Sequence, residues 1–462
     1  MSRFPITRRK FLSSLASLPI AGVSINSARA APFEIRAKSG IAKLGPADAP
    51  KTPIWGYNGL VPGPLIRVKQ GQKLSRRFIN ELPQPSTIHW HGIRIKNSMD
   101  GVPGLTQQAV PPKKDFLYEF EVPDAGTYWY HPHNRTWEQL ARGLYGALIV
   151  EETKTPEFDD DVVMMLDDWR LQPDGKIAGD FGSIGDWSHG GRLGNWITVN
   201  GKRDFDRKAR LNERLRLRLI NTANARIFSL GFAGLTGWVT ALDGQPLRNP
   251  MPTEHIVLGP AQRVDLIVDI AEPVESKAHL IFYENNQEYV LGTFHVNGSA
   301  RRNRLPKPSP LPQNPLPPLG DLESARRVTL NMEGGAMGRM SGAMINGKMT
   351  TMRSLVEQGK VWAFNGMADF PKAPLITATA GETIRIKIKN NTVWPHAMHL
   401  HGHHFRQVID GTPPGPLRDT LLIESRRGTE IGFVADNPGD WLLHCHMVEH
   451  AAAGMTTWLK VV

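Results

Sequence analysis

Polar and apolar residues alternate with a period of two from Asn212 through Arg214, Leu215, Arg216, Leu217, Arg218 and Leu219 to Asn221, and the same alternation runs from Gln70 to Asn80. Successive side chains of a strand point to opposite faces, so this pattern predicts β-strands. Short runs of this kind, separated by Gly, Pro, Asn and Asp, recur along the whole chain. Gly146 to Glu151 is one, and it gives way to a polar, acidic run ending at Asp161. That organisation predicts an all-β protein built of antiparallel Greek-key sandwiches. Residues 301–321 hold seven prolines (306, 308, 310, 312, 315, 317 and 318) and predict an extended connector, able to cross one domain face and return the last domain to the first.

The pattern also repeats. Pro64-Leu65-Ile66 leads to Gly71, Asn80, His89, His91 and Gly92, and Pro374-Leu375-Ile376 leads to Gly381, Asn390, His399, His401 and Gly402, every pair offset by 310 residues. Gly126 with His131-Pro132-His133 matches Gly439 with His444-Cys445-His446 at an offset of 313. Two domains of one fold are implied, each contributing two His-x-His strands. The alternating run 212–221 marks a third copy between them, whose register puts Leu230 and Phe232 where the outer copies carry histidine. This middle domain is expected to share the fold, supply no ligands and act as a spacer. The expected divisions are 1–30 as a leader, 31–152, 153–300, a connector at 301–325, and 326–462.

Composition supports this reading. Forty-four glycines and 36 prolines, with 8% aromatic residues, suit a turn-rich β protein, and 40% hydrophobic content over 462 residues suffices for several cores. A single cysteine rules out an intramolecular disulfide. The formal charge of +11 includes Arg3, Arg8, Arg9, Lys10 and Arg29, which leave +6 once the first thirty residues are set aside, an ordinary solvated surface. No basic run interleaved with aromatics suggests nucleic acid, and no later stretch is long and apolar enough to span a bilayer. Residues 1–30 read as a twin-arginine signal: Thr7-Arg8-Arg9-Lys10-Phe11-Leu12, a modest apolar run to Ile25, then the small-x-small signal Ala28-Arg29-Ala30. Export to the periplasm is expected, with a mature chain beginning near Ala31.

The candidate chemistry lies in four clusters: His89-Trp90-His91, His131-Pro132-His133, His396-x-x-His399-x-His401, and His444-Cys445-His446 followed by His450 and Met455. On a strand His444 and His446 face one way and Cys445 the other, so one short segment offers ligands to two metal centres. Four His-x-His strands could place eight imidazoles around a shared interdomain cavity. A thiolate with imidazoles and a thioether is a blue-copper set, and Cys445 with His396, His450 and Met455 favours copper. Eight converging imidazoles exceed the closed four-ligand shell that zinc prefers. His189, His255, His279, His295, His403 and His404 are read as structural or surface residues, the last two lying nearest the chemistry.

These clusters resemble the signature of the multicopper oxidases, in the three-domain, laccase-like bacterial branch, and the resemblance covers essentially the whole chain after the leader. It implies three cupredoxin-like Greek-key β-sandwich domains and four coppers per chain. Type 1 would take His396, Cys445, His450 and axial Met455. Type 2 would take His89 and His399, and the type 3 pair His91, His131, His133, His401, His444 and His446. It further implies one-electron oxidation of a small reductant at type 1, passage of electrons through Cys445 to His444 and His446, and reduction of O2 to water at the trinuclear cluster. Asp100, nine residues after His91, stands where the family carries an acid that relays protons or holds a water. The plainer reading of an Asp before Gly101 is a turn residue. Several bacterial relatives have a glutamate directly after the second type 1 histidine; this chain has Ala451, and Glu449 is not its equivalent.

Met332, Met337, Met340, Met344, Met349 and Met352 lie within 21 residues, and Met337, Met340 and Met344 have a spacing that could share one helical face. Thioethers suit Cu(I), whereas core packing is the plainer role, and Gly334, Gly335, Gly338, Gly342 and Gly347 weaken both a helix and a dense core. Relatives that oxidise Cu(I) carry an acid and a methionine four and two residues before the first type 1 histidine, where this chain has Thr392 and Trp394. Phenols or aromatic amines are therefore the expected reductants, with Cu(I) the alternative. A structural protein that has lost its copper ligands is set aside because all twelve positions are filled, and a copper-storage protein using residues 332–352 remains the other non-enzymatic reading. The expected partners are O2 and the reductant, the chain acting as a monomer.

Overall fold

The computed structural model describes residues 33–45, 48–410 and 412–462. The proposed leader lies outside the described residues. Residues 33–462 form one compact unit, and strands occur in the order the alternation predicts, arranged as three successive pairs of sheets.

The first pair has a four-stranded sheet in which Thr52–Tyr57, Phe33–Ala42, Lys73–Asn80 and Asp115–Glu121 are successive neighbours, facing a second of Ile66–Lys69, Gly146–Glu151, Gly126–His131 and His89–His91. Sheets of six and five strands follow between Asp160 and Ser299, and again between Arg326 and Val461. Each pair closes over its own apolar core. A further cluster, with Trp129, Tyr145, Trp169, Ile220 and Val448, joins residues of all three pairs. The chain is a three-domain cupredoxin-type protein.

The repeat acquires a physical cause. In each domain an asparagine ends a core strand and ties the next turn. Asn80 Oδ1 accepts the Leu82 amide while its Nδ2 donates to the carbonyls of Gln84 and Val110. Asn221 does the same with Ala223, Arg226 and Leu258, and Asn390 with Thr392, Trp394 and Glu424. These are side-chain turns that a backbone group cannot supply at that corner. They aim the following strand, so His89 pairs with His131 and, in the same register, His399 with His444. In the middle domain the corresponding pair is Leu230 and Phe282, both buried in the core, where each contributes about 1.5–3 kcal/mol of apolar burial.

The proline-rich segment forms no strand or helix between Ala300 and Asp321. It is held by Arg214, which donates to the carbonyls of Leu305 and Pro306, and by Asn314, which bonds Ala125 of the first domain and Gln245 of the middle one.

The helical possibility for the methionine segment is not the one adopted. Met337, Met340 and Met344 share no helical face: Gly342–Ile345 and Lys348–Thr351 form a hairpin, and the only helix nearby is Met352–Glu357. The turn is Asn346-Gly347, both with positive φ (50° and 74°), the geometry of a two-residue hairpin loop. Among the described residues no helix is long and apolar enough to cross a membrane.

Candidate metal centre

The strand Gly439–Cys445 sets Cys445 and His444 on opposite faces, and the site grows from there. On one side, Cys445 Sγ lies 3.5 Å from His396 Nδ1 and 3.8 Å from His450 Nδ1, and those two nitrogens are 3.1 Å apart. All three residues are buried. His396 comes from the neighbouring strand His396–Leu400, and His450 from the short helix Val448–Ala452 that follows the Cys445 strand. Met455 is buried in the same apolar cluster, and its carbonyl accepts the Cys445 amide at 3.1 Å.

The outer ring nitrogens are occupied. His450 Nε2 donates to the His189 carbonyl at 2.7 Å, and His396 Nε2 lies 2.9 Å from the Thr392 hydroxyl. Thr392 Oγ1 spends its proton on Asn390 Oδ1 or the Trp394 carbonyl, so it accepts from His396. Both Nδ1 atoms therefore present lone pairs toward the sulfur. Burial holds the His450 imidazolium at about 4 and, with His450 beside it, pushes His396 well down. Burial also pushes the Cys445 thiol up to about 12. A thiolate at that position needs a bound cation to stabilise it.

On the other side, His89, His91, His131 and His133 of the first domain meet His399, His401, His444 and His446 of the third. The rings of His89 and His401 stack at 3.9 Å, and those of His91 and His399 at 3.8 Å. His401 Nε2 and His444 Nε2 are 3.1 Å apart, and His446 Nε2 and His131 Nε2 3.3 Å. Most inner nitrogens are fixed as acceptors by what the outer nitrogens do. His89 Nδ1 donates to the Asp100 carbonyl, His131 Nδ1 to Pro132, His399 Nδ1 to Asp419, His444 Nδ1 to Cys445, and His401 Nδ1 to the Asp100 carboxylate, all within 3.0 Å. Lone pairs of His401 and His444 then face each other with no hydrogen between them. His89 Nε2, His133 Nε2, His399 Nε2 and His91 Nδ1 are buried with no partner at all. Buried acceptors converging in this way fit a cation and little else. Desolvation first, then the neighbouring imidazoles, holds His131, His133, His401 and His444 well below the usual histidine range, so the rings are neutral at neutral pH.

Asp100, singled out in the sequence, is buried with Oδ2 2.9 Å from His401 Nδ1 and Oδ1 3.2 Å from His89 Nδ1. Sequence reasoning missed Asp419, whose Oδ1 lies 3.4 Å from His91 Nε2 and 3.5 Å from His399 Nδ1. Burial drives its carboxyl up, but Arg263 and the hydrogen bonds of His399 and His91 outweigh this and hold it well below the usual carboxylate range. His403 and His404 are buried, held at about 4 by desolvation, and donate no ligand atom to either set. His189 was read as a structural or surface residue; it is exposed, while its carbonyl accepts from His450 Nε2. A cavity of about 130 Å³ reaches His131, His133 and His444 and is lined by Trp137, Ala451 and Ala452. Glu449 does not line it: its carboxyl accepts from Asn224 at 2.6 Å and burial pushes it up to about 7.

Three family models described as multicopper oxidase match residues 41–155, 160–299 and 344–462. The chain belongs to the multicopper oxidase family. Among curated relatives, multicopper oxidase MmcO of Mycobacterium tuberculosis is 28% identical, covering 88% of this chain and 82% of the relative. Laccase-1 of Botryotinia fuckeliana is also 28% identical over 88% and 78%, and copper resistance protein A of Pseudomonas syringae pv. tomato 26% over 87% and 88%. The crystal structure of a multi-copper oxidase from Pseudomonas thermotolerans superposes with a TM-score of 0.81 at 31% identity, covering 93% of this chain and 99% of that one. Lac15 from a marine microbial metagenome gives 0.76 at 38%, over 93% and 100%. Multicopper oxidases couple a reductant to O2 through copper. The eight-imidazole and Cys–His sets of this chain have the donor chemistry that requires.

Proposed function

We propose that this multicopper oxidase is laccase-like, taking electrons one at a time from phenols or aromatic amines and reducing O2 to two waters. The observation that carries the oxidase reading is the strand Gly439–Cys445, which sets Cys445 on one face and His444 on the other, with His446 directly after it. His396, Cys445, His450 and Met455 would hold a type 1 copper. His89 and His399 would hold type 2, and His91, His131, His133, His401, His444 and His446 the type 3 pair. When bound, copper supplies reversible one-electron chemistry at the first set and four electrons to O2 at the second. The chain's own residues do the rest. Trp362, edge-on to His396 at 5.1 Å and tilted against His450 at 4.5 Å, belongs to the buried apolar cluster that also holds Cys445. Asp100 holds the His401 and His89 rings, and the cavity beside Ala451 gives a small molecule access to His131, His133 and His444.

The substrate reading rests on the outer nitrogens of His396 and His450. Their partners, a threonine hydroxyl and a backbone carbonyl, are neutral and hard, and neither recruits Cu(I). The alternative, cuprous oxidation in copper tolerance, is favoured by Met337 and Met349, which are 74% and 73% exposed. Steady-state rates for a phenol, an aromatic amine and Cu(I), measured side by side, decide between them; a Cu(I) rate far above both organic rates would sink the laccase-like reading. In the double variant Met337→Leu/Met349→Leu, phenol turnover should be unchanged. A selective loss of Cu(I) oxidation there would identify these thioethers as copper-gathering, and equal loss for both substrates would make them part of a shared surface.

The axial role of Met455 is testable through potential. Met455→Leu should leave the protein blue and raise the type 1 potential, because Cu(II) loses more stabilisation than Cu(I) when the weak thioether is removed. A redox titration showing no change or a decrease removes Met455 from the ligand set. We further propose that residues 1–30 direct twin-arginine export to the periplasm, that the domains divide at 31–152, 153–300 and 326–462, and that the protein acts as a monomer.

A further inference from the structure

The middle domain supplies no ligand, yet one of its side chains reaches the ligand shell. Arg263 begins the strand Arg263–Ile270 and is fully buried. Its guanidinium grips Asp419 of the third domain with both oxygens, Nη1 to Oδ1 at 2.7 Å and Nη2 to Oδ2 at 2.6 Å. Nε donates to the Thr127 carbonyl of the first domain at 3.2 Å, and the Arg263 amide donates to Asp243 Oδ1 at 2.9 Å. Gly92, directly after His91, has a φ of +87°, and a Cβ there would collide with the Arg263 guanidinium. The first domain thus leaves room for this side chain beside its own ligand.

What Asp419 does with the charge so held is the point. Its carboxylate lies at the outer nitrogens of His91 and His399, and its carbonyl accepts from His399 Nδ1 at 2.9 Å. Thr420 Oγ1 donates to Asp419 Oδ1 at 2.8 Å, which fixes the carboxylate plane. His91 and His399 belong to different domains and stack at 3.8 Å with an interplanar angle of 17°, without a backbone pairing between their strands. A single carboxylate at both rings gives them a common reference. Asp100 occupies the same position toward the other stacked pair, His89 and His401.

We infer that Arg263 and Asp419 form a positioning pair through which the middle domain orients His91 and His399 and so sets the metal affinity of the eight-imidazole site. The inference rests on the copper reading given above. An arginine suits the task because its planar fork matches both carboxylate oxygens and fixes the carboxylate's direction, which an ammonium does not. Asp419 needs a fixed direction to keep the outer nitrogens protonated and the inner ones free for metal.

The test uses the full-length, copper-loaded protein, with copper per chain, the blue band, the type 2 electron paramagnetic resonance signal and Tm measured on each variant. Arg263→Lys keeps the buried charge and removes the fork. Arg263→Gln with Asp419→Asn removes both charges together, so neither partner is left buried and unpaired. In both variants copper binding at the eight-imidazole site should weaken by about 10–100-fold, as for other groups that orient ligands. The type 2 signal should be lost or altered while the blue band stays intact. Excess copper should restore the metal content but leave the type 2 signal changed. Wild-type copper affinity and an unaltered type 2 signal in both variants, with only Tm lowered, would overturn the inference and leave the pair a domain clamp. Wild-type protein assayed alongside separates the two levels: if it carries no copper at the eight imidazoles, the copper reading itself falls, and the inference with it.

Discussion

Cys445→Ser is expected to bleach the copper-loaded protein and reduce oxidase turnover to background, while the eight-imidazole site keeps its metal. The substitution is nearly isosteric, and the main-chain bond from residue 445 to the Met455 carbonyl does not involve the side chain. A serine hydroxyl can donate to either Nδ1 lone pair, so the pocket stays satisfied and folding should survive. What is lost is the soft, charge-bearing sulfur, the donor responsible for strong thiolate-to-copper absorption and for tight coupling to His444 and His446 through the main chain. Metal analysis, the visible spectrum and oxygen consumption on one preparation give the answer. Retained blue colour in the serine variant would remove Cys445 from the site. Loss of all copper together would mean that the two metal sets are not independent.

How far the sequence carried depends on what each residue needed around it. Eight of the ten cluster histidines were legible because their His-x-His spacing puts two imidazoles on one face of a strand, and because two copies share a register; His396 and His450 were legible only beside Cys445. His89 against His131 and His399 against His444 pair as that register requires. Leu230 likewise lies where the middle copy lacks a ligand. Asp419 and Arg263 were not legible. Each is an ordinary charged residue beside an apolar run, and only the docking of three domains brings them together. The alternating arginines show the same limit. Arg214, Arg216 and Arg218 announce a strand, but their face is buried against Asp269, Glu152 with Asp265, and Asp161 instead of solvated. Removing one partner of such a pair costs about 3–5 kcal/mol, because the other charge is stranded. The methionine segment was left open for a different reason. The three methionines have a spacing that could be helical, and the glycines were read as weakening a helix; Asn346-Gly347, a strong short hairpin signal, was not used.

Asp100→Asn should lower turnover by about 10–100-fold, mostly by weakening copper binding. The sequence left open an acid that relays protons or holds a water, and a turn residue. The geometry favours another: Oδ2 accepts from His401 Nδ1 at 2.9 Å, Oδ1 lies 3.2 Å from His89 Nδ1, whose proton goes to the Asp100 carbonyl, and the side chain is buried. An asparagine keeps one accepting oxygen but turns an NH2 toward the second ring. Facing His401, the NH2 makes that ring tilt or move its proton to the inner nitrogen, which withdraws a lone pair from the metal; facing His89, it pushes against a ring still held by the residue-100 carbonyl and tilts it. If orientation is the main role, reconstitution with excess copper should return most of the activity, and the pH profile should keep its wild-type shape. A proton-relay role has a different signature. General acid catalysis is typically worth about 10²–10⁴-fold, and that loss would persist with full copper and an unaltered type 2 signal, with a changed pH profile for O2 reduction. Copper content, type 2 signal and rate against pH on the same samples therefore assign the residue. A fully loaded, spectroscopically normal and still inactive Asp100→Asn would defeat the orienting role and return Asp100 to the proton path.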